Sequence, residues 1–456
     1  MARVVIIGAG ISGLSLAWYL KALKPQWECL ILEASSRVGG KAWTVLEDGF
    51  LCEKGVNGFL NNKPSSLALA AELKLPLYPA NENSKRRFVV KAGRLVKLPE
   101  KPQEFLFSSL LSPVGRLRVL LEPFIAKNTS PEDESLASFA RRRLGEEAFQ
   151  HLIDPMAKGI YAGDPELLSL RYCFPRIFEL EQTYGSLIKA MLALKKQAAK
   201  QGKKGPGAGP GGHLTSFEMG MSQLTDSLAN HLQGHIKLDA EAVELFKATA
   251  SGQWQITTRK GETIDATHVV MACPARTAAS LIAPHSPALS AALNKIDYPP
   301  VTVAALGFSQ GLLKHPLNGF GFLVPEKERR SILGVLWDSS IFPNRAPEGY
   351  SLLRILVGGA RARELAYLKD NDLLNRVKKE LQELMGIHAA PEFVRIFRWD
   401  EAIPQYNIGY GNLLSCLQQE AKHLPNIHMR CNWIGGVSFN DCIANSQDLA
   451  KKLAAI

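Results

Sequence analysis

The stretch RVVIIGAGISG, residues 3–13, decides the fold of this chain. Its first five residues are mostly β-branched and apolar, as in a strand that is buried on both faces of a parallel sheet. Gly8, Gly10 and Gly13 follow at the spacing of a turn that lets backbone approach a diphosphate and lets the next helix pack closely on the strand. The stretch therefore predicts a Rossmann-like unit that binds a dinucleotide.

A second predicted strand, CLILE at residues 29–33, supports this interpretation. It ends in Glu33, twenty residues after Gly13. A carboxylate at that position can accept hydrogen bonds from the hydroxyl groups of a ribose. Strand, glycine turn, helix, strand and acid thus occur in the order that a dinucleotide site requires.

The next stretch, EASSRVGGK at residues 33–41, distinguishes a flavin from a nicotinamide. It resembles the signature of FAD-dependent amine oxidases, phytoene desaturases and protoporphyrinogen oxidases. The resemblance implies FAD as the cofactor, with Arg37 and the glycine pair adding a second contact to the diphosphate. The alternative is a solvated basic turn after an edge strand.

Composition limits the class of protein and its partners. A chain of 456 residues, 46% hydrophobic, can bury a large core and is expected to form two or three domains. The net charge of +11 is spread along the chain without a nucleic-acid recognition module, so we expect an anionic membrane surface or an anionic substrate rather than nucleic acid. Seven cysteines without a Cys-x-x-Cys pair, and histidines without a ligand-like spacing, predict no metal site.

Location follows from the same patterns. The first predicted strand begins at residue 3 and no apolar run is long enough to span a bilayer, so we expect a cytoplasmic protein without a signal peptide or membrane span. Residues 104–111 and 116–124 are amphipathic and apolar. They either lie at a membrane interface or pack within a helical subdomain. The run Arg141–Arg143 is expected on a solvated helix face.

The order of predicted elements indicates an α/β fold with a discontinuous Rossmann-like domain and a helical pattern from about residue 100 to 200. The resemblance to protoporphyrinogen oxidases implies, in addition, a mixed α+β substrate domain and a helical subdomain that contacts the membrane. One continuous strand is expected over residues 236–243. The predicted boundaries are 1–84, 212–277 and 396–456 for the FAD-binding domain, 85–99 and 278–395 for the substrate-binding domain, and 100–211 for the helical domain, with a flexible loop near 195–212.

Several short stretches together resemble oxygen-dependent protoporphyrinogen oxidases. They occur in that family's order and are KRRF at 85–88, GIYAGD at 159–164, FLVP at 322–325, FPNRA at 342–346, VGGA at 357–360 and RWDEAIPQY at 398–406. The resemblance implies the six-electron oxidation of protoporphyrinogen IX to protoporphyrin IX, with dioxygen reduced to hydrogen peroxide. It also implies a porphyrinogen as substrate, peripheral membrane contact, and compatibility with a homodimer and with transfer of product to a chelatase.

The same resemblance implies roles for individual residues. Asn57 would lie near the flavin and the reacting edge of the substrate, and Arg87 would pair with a propionate. Leu323 and Leu336 would enclose the macrocycle, and Leu356 takes a position where some relatives carry an aromatic residue. The implied FAD contacts are Gly8, Ala9, Gly10, Ile11, Ser12, Gly13, Glu33, Ala34, Arg37, Gly40, Lys41, Gly55, Val56, Asn57, Gly58, Val243, Ala272, Trp399, Gly436 and Val437.

The chain departs from the family pattern at two places. The familiar Gly-Pro-Asn-Ser-Phe element reads GVNGF at 55–59, and Leu356 removes a possible ring stack.

Three rival functions stay open. A coproporphyrinogen III oxidase would share the fold, the FAD and the chemistry but take a substrate with four propionates. A flavin amine oxidase would keep the cofactor and oxidise an amine, and a non-catalytic protein would bind flavin or porphyrin without turnover.

Overall fold

A computed structural model of the protein describes residues 2–200, 212–247 and 253–455. The α/β fold class predicted from the sequence is confirmed: one parallel sheet and one larger mixed sheet are each covered by helices.

In the described part of the chain, the strands are β1 (Arg3–Ile7), β2 (Glu28–Leu32), β3 (Thr44–Glu47), β4 (Phe50–Glu53), β5 (Phe59–Leu60), β6 (Leu77–Pro79), β7 (Arg87–Lys91), β8 (Arg94–Lys97), β9 (Leu214–Phe217), β10 (Ile236–Lys237), β11 (Ala242–Lys247), β12 (Trp254–Thr258), β13 (Thr263–Ala266), β14 (His268–Met271), β15 (Val301–Ser309), β16 (Gly321–Leu323), β17 (Gly334–Leu336), β18 (Tyr350–Gly358), β19 (Phe393–Trp399) and β20 (Ile427–Met429).

The α-helices of the same residues are α1 (Ile11–Leu23), α2 (Pro64–Glu72), α3 (Pro102–Phe107), α4 (Pro113–Leu120), α5 (Leu136–Leu144), α6 (Glu146–Ala148), α7 (Asp154–Tyr161), α8 (Leu170–Cys173), α9 (Pro175–Tyr184), α10 (Leu187–Lys200), α11 (Ser222–His231), α12 (Ala275–Ile282), α13 (Pro287–Asn294), α14 (Asp338–Ile341), α15 (Asp370–Met385), α16 (Tyr410–Glu420) and α17 (Phe439–Ala454).

The parallel sheet has the strand order β10-β2-β1-β14-β20 and draws its strands from distant parts of the chain. Val4 and Ile6 of β1 pack in one core with α1 and α17, while Val5 and Ile7 pack in a second core on the other face. Burial on both faces explains why β1 is a continuous apolar run.

The larger sheet has the order β19-β15-β18-β17-β16-β7-β8. Helix α15 covers one face, where Val377 and Leu381 join a core with Phe322 and Ile355. The other face includes positions of β15, β18 and β19 that pack against β4 of the N-terminal region. This second face is where the substrate residues expected from the sequence lie.

The predicted strand over 236–243 is wrong, because it is two strands in two sheets: β10 joins the parallel sheet and β11 pairs with β12. Asp239 has φ of +51°, a left-handed conformation that interrupts a strand. Alternation of apolar and polar residues continues across this break, which is why the pattern suggested a single strand. The predicted loop near 195–212 is also wrong at its start, since residues 195–200 continue α10, and residues 201–211 lie outside the described part.

The expectation of a solvated face for Arg141–Arg143 is wrong for its last residue. Arg143 is fully buried, and its Nε donates to Oε1 of Glu181 at 2.7 Å while Nη1 donates to Oε1 of Glu122 at 3.1 Å. Both carboxylates are buried as well. A buried guanidinium is tolerated here because its donors are paired, which sequence alone does not reveal.

Candidate active site

The first glycine turn leaves open space beside one glycine only. A Cβ atom on Gly8, whose φ is +112°, would lie 2.7 Å from the carbonyl oxygen of Ala272, and one on Gly13 would overlap the carbonyl oxygen of Gly8. A Cβ on Gly10 would meet no atom within 4 Å. Helix α1 begins after Gly10 at Ile11 without a side-chain cap, so its first N–H groups are available to an anion.

Glu33 lies beside this turn and already has backbone partners. Its Oε2 accepts the N–H of Ala9 at 2.7 Å, and Oε1 accepts the N–H and the hydroxyl of Ser35 at 3.0 and 2.7 Å. An ionised carboxylate can accept about four hydrogen bonds, so capacity for a ribose hydroxyl remains. The neighbouring Ala34 is exposed.

The second glycine turn packs directly on the first. The N–H of Gly39 donates to the carbonyl of Ala9 at 2.8 Å, and a Cβ on Gly40 would lie 3.2 Å from the Cα of Gly10. Arg37 shapes this second turn by donating to the carbonyls of Val38 and Gly40 at 2.8 and 2.7 Å. Where the two turns meet, at Gly10 and Gly40, neither residue carries a Cβ atom, which fits the close approach of a diphosphate.

Lys41 is a partly buried cation that follows the second turn. Its Nζ donates to the carbonyl of Glu401 and lies 5.6 and 5.7 Å from the ring centroids of Tyr298 and Trp399. Burial lowers the pKa of Lys41 to about 8. The indole N–H of Trp399 donates to the carbonyl of Lys54 at 2.8 Å, so this aromatic residue is held in place.

The loop that carries Asn57 is enclosed by backbone on both sides. A Cβ on Gly55 would overlap the carbonyl oxygen of Lys41, and one on Gly58 would lie 2.7 Å from that of Thr215. The N–H of Val56 donates to the carbonyl of Lys41 at 3.3 Å. The loop thus follows the Lys41 segment closely and brings Asn57 next to it.

The remaining expected cofactor residues lie in three other segments. Ala272 follows β14, and its N–H donates to Ile7 at the end of β1. Gly436, with φ of +123°, donates its N–H to the hydroxyl of Tyr406 at 3.1 Å, and Val437 is partly buried beside it. Val243 forms a bulge in β11, because Ala242 pairs with Thr258 while Glu244 pairs with Thr257.

The four expected substrate residues share one face of the larger sheet. Gly321 pairs with both Arg87 and Leu336, and Gly334 pairs with both Leu323 and Leu356. Paired residues in neighbouring strands point to the same face. Strand register therefore brings together side chains that are up to 269 positions apart in the sequence.

One row of residues across this face contains three arginines. The row runs through the paired positions Arg87, Gly321, Leu336, Arg354, Ala305 and Arg395. Arg354 pairs with Asp338 and Arg395 pairs with Glu47. Arg87 is exposed at 5.0 Å from the ring centroid of Phe320 and has no carboxylate partner among the described residues.

Sequence reasoning missed a buried polar cluster behind Asn57. Glu53, Asp338, Arg345 and Arg354 are all buried, with 3.1 Å between Arg354 Nε and Asp338 Oδ2 and 3.6 Å between Arg345 Nη2 and Glu53 Oε1. Burial raises the pKa of Asp338, and raises that of Glu53 to about 7, although the arginines act in the opposite direction. The available signal was weak: charged residues within the apolar strands β4 and β18.

A group of exposed apolar side chains lies within residues 106–124 of the helical region. We call it the apolar patch, and it consists of Leu106, Phe107, Val114, Leu117, Leu120, Leu121 and Phe124. Phe107 is 87% exposed and Phe124 is 83% exposed, so these rings do not pack internally. None of the helices in the described residues is both long and apolar enough to cross a membrane.

Comparison with known proteins agrees with this geometry. A model of the flavin-containing amine oxidoreductase family matches residues 11–447. The chain is 32% identical to coproporphyrinogen III oxidase of Bacillus subtilis over 97% of its own length and 95% of that protein. It is also 32% identical to protoporphyrinogen oxidase 2, chloroplastic/mitochondrial, of Arabidopsis thaliana over 97% and 92% of the two chains.

Solved structures support the fold. A crystal structure from Exiguobacterium sp. 255-15, provisionally assigned as a protoporphyrinogen oxidase, superposes with a TM-score of 0.84 at 24% identity and covers 100% of this chain and 99% of that one. Reduced UDP-galactopyranose mutase superposes with a TM-score of 0.77 at 17% identity, covering 100% and 94%.

The chain therefore belongs to the flavin-containing amine oxidoreductase family. It is an FAD-dependent oxidase whose relatives named above are coproporphyrinogen III and protoporphyrinogen oxidases. The family resemblance and the cofactor predicted from the sequence are confirmed. The open space at Gly10, the uncapped start of α1 and the paired turns fit FAD.

Proposed function

We propose that this oxidase converts protoporphyrinogen IX to protoporphyrin IX, consuming three molecules of dioxygen and releasing three of hydrogen peroxide. The observation that carries the proposal is the shared face of Leu323, Leu336 and Leu356, with the exposed Arg87 at its edge. An apolar surface with one unpaired guanidinium suits a largely apolar macrocycle that carries propionates.

The protein's part in this reaction is mainly to bind and orient. FAD, when bound, supplies the acceptor for hydride from a methylene bridge of the macrocycle. The three leucines would hold the macrocycle against the Asn57 loop and exclude water, and Arg87 would fix its direction through a propionate. Reacting atoms must approach to about 3–3.5 Å, so orientation of this kind can supply several kcal/mol.

Asn57 and the two glycine turns would serve the cofactor and the reacting edge. We assign the diphosphate to the turns around Gly10 and Gly40, the ribose to Glu33, and the flavin ring to the segments of Asn57 and Gly436. The open space beside Gly10, and the close approach of Gly40 to Gly10, support this assignment. The other cofactor residues expected from the sequence form the rest of the same proposed site.

The choice of protoporphyrinogen rests on the arginine row. Arg354 and Arg395 already have carboxylate partners, which leaves Arg87 for the substrate. One free guanidinium suits a substrate with two propionates better than one with four. Coproporphyrinogen III is the second candidate, because the 32% identity to the Bacillus subtilis coproporphyrinogen III oxidase equals that to the Arabidopsis thaliana protoporphyrinogen oxidase.

We also propose that the oxidase works in the cytoplasm at a membrane surface, attached through the apolar patch. The patch exposes two phenylalanines, and the chain carries a net charge of +11. Apolar side chains beside a basic surface bind anionic bilayers reversibly. The corresponding division into FAD-binding, substrate-binding and helical membrane-contacting domains keeps the boundaries expected from the sequence.

The test is to mix the purified holoenzyme in air with protoporphyrinogen IX, coproporphyrinogen III or a primary amine in separate reactions. Porphyrin fluorescence, oxygen uptake and peroxide release are followed together. We expect multiple turnovers with the highest kcat/KM for protoporphyrinogen IX. A higher kcat/KM for coproporphyrinogen III would select the second candidate, and binding without turnover would mean a carrier rather than an enzyme.

A further inference from the structure

The stretch RWDEAIPQY ends in Tyr406, a residue that the proposed function does not use. Tyr406 is 2% exposed, and its hydroxyl donates to the carbonyl of Asn432 at 2.6 Å and accepts the N–H of Gly436 at 3.1 Å. We call residues 431–437 the flavin loop, because they lead into the segment to which we assign the flavin ring. One hydroxyl thus closes this loop by holding both of its ends.

The backbone carbonyls of the flavin loop are turned toward the protein. Along residues 431–435 in order, their side-chain donors are Arg430 Nη2 at 2.8 Å, the Tyr406 hydroxyl at 2.6 Å, the Tyr410 hydroxyl at 2.7 Å, Arg430 Nη2 again at 3.0 Å and Asn445 Nδ2 at 2.8 Å. The N–H groups of Gly435 and Val437, in contrast, donate to no acceptor in the part of the chain that the structure describes. Gly435 is exposed and Val437 is half-buried, so this segment is open to a ligand.

Tyr406 is fixed at its backbone as well as at its hydroxyl. Its carbonyl accepts the N–H of Ser169 at 2.9 Å and the thiol of Cys173 at 3.4 Å, and its ring stacks on that of Tyr410 with centroids 4.4 Å apart. Burial raises the pKa of Tyr406, so its hydroxyl stays neutral and can both donate and accept. The hydroxyl is therefore a rigid point to which the flavin loop is attached.

A loop that presents N–H groups suits one edge of a flavin in particular. The pyrimidine edge carries carbonyl oxygens and N1, and negative charge increases there when the flavin is reduced. A hydrogen bond to an ionised acceptor is roughly twice as strong as one to a neutral acceptor. N–H groups at this edge therefore stabilise reduced FAD more than oxidised FAD, whereas carbonyl groups would do the opposite.

We propose that Tyr406 is a positioning residue for FAD, which keeps the carbonyls of the flavin loop inward, directs the N–H groups of Gly435 and Val437 toward the pyrimidine edge and so raises the midpoint potential of the bound flavin. The inference rests on the proposed function only for the placement of the flavin ring at the Gly436 segment, and not for the substrate. Tyr410 supports the same loop through one hydrogen bond instead of two, so its contribution is smaller.

Removing one hydroxyl gives a direct test. Tyr406→Phe keeps the ring and its stacking but leaves the Asn432 carbonyl and the Gly436 N–H without their partner, so the flavin loop is less firmly held. We expect the variant to retain FAD, with the Kd for reduced FAD raised about tenfold more than the Kd for oxidised FAD. For a two-electron couple, this difference equals a fall of about 30 mV in midpoint potential, which anaerobic equilibration of the holoenzyme with a reference dye measures. Tyr410→Phe should lower the midpoint potential by a smaller amount.

The control is Tyr161→Phe, which removes another buried hydroxyl that donates to a backbone carbonyl, that of Cys173 at 3.0 Å. It should lower Tm without changing the midpoint potential. If Tyr406→Phe behaves in the same way, with equal losses of affinity for the two forms of FAD and a wild-type potential, its role is merely structural and the inference is overturned.

Two other outcomes are also decisive. If Tyr406→Phe does not fold, Tyr410→Phe gives the answer, because a wild-type midpoint potential in that variant would overturn the inference and a lowered one would support it. The titrations contain no porphyrinogen, so a wild-type enzyme that oxidises no porphyrinogen would refute the proposed substrate and leave the role of Tyr406 to be decided by the potentials.

Discussion

Replacing Gly10 by valine should abolish FAD binding while leaving the protein folded. Gly10 has φ of −73° and ψ of 177°, which any residue adopts, and its Cβ would meet no atom within 4 Å. The substitution should therefore leave the apoprotein as stable as wild type, or about 0.4–1 kcal/mol more stable because the unfolded chain loses freedom. The added side chain would occupy the space through which a diphosphate reaches the start of α1.

The expected loss of affinity follows from the hydrogen bonds to the diphosphate. A hydrogen bond from backbone N–H to a charged group contributes about 1.5–3 kcal/mol, so displacing one costs roughly ten- to one-hundred-fold in the Kd for FAD, and displacing two abolishes retention during purification. Flavin absorbance after gel filtration measures occupancy, and quenching of FAD fluorescence on titration into apoprotein measures the Kd. Thermal unfolding of the apoprotein confirms the fold.

Two further glycine variants make the test specific. Gly311→Val introduces the same side chain at another position where a Cβ meets no atom within 4 Å, far along the sequence from the turn, and should leave FAD binding unchanged. Gly13→Ala should instead destabilise the apoprotein, because its Cβ would overlap the carbonyl oxygen of Gly8. If Gly10→Val retains stoichiometric FAD with a wild-type Kd, the diphosphate does not lie at this turn.

Three other perturbations test different parts of the molecule. Arg87→Ala should raise KM for protoporphyrinogen IX about tenfold with kcat nearly unchanged. A propionate far from the reacting bridge stabilises the bound substrate and the transition state equally, so its loss weakens binding without slowing the chemical step. Steady-state kinetics with an unaltered KM would contradict this placement of Arg87. Changing Phe107 and Phe124 together to serine should weaken flotation with anionic liposomes at low salt. The control Phe246→Ser, in β11 at a ring that is 50% exposed, should leave flotation unchanged. Equal flotation of wild type and both variants would exclude the apolar patch as the contact. Burial lowers the pKa of His428 to about 4 from an ordinary value near 6.5. The unfolded chain therefore binds the proton first, and the free energy of unfolding falls by up to about 3 kcal/mol as pH decreases from about 6.5 to 4. In urea titrations over that range, His428→Gln should make the free energy of unfolding less dependent on pH, and an unchanged pH dependence would refute this role.

Local patterns were sufficient to predict the first strand, the glycine turn and the helix that follows it. The strand, the glycine turn and the acid of residues 3–33 belong to one βαβ unit. The short-range geometry of that unit fixes their spacing, so the spacing can be read in the sequence. The β-branched run predicted β1, and the structure buries it on both faces. The same reasoning failed at 236–243, where one left-handed residue, Asp239, divides a regular alternation into two strands.

The substrate face and the polar cluster needed the tertiary structure. Arg87, Leu323, Leu336 and Leu356 share a face only because strands from distant parts of the chain pair in one register, and the sequence suggested them through family resemblance rather than through a pattern.

Asp338 and Arg354 had no motif at all. Their importance arises from mutual distance and burial, which depend on how two sheets pack. Sequence alone thus determined the features that depend on residues close together in the chain, from the glycine turns to the Glu33 carboxylate. Only the folded structure decided which distant charges meet, because strand register and sheet packing are long-range properties of the whole chain.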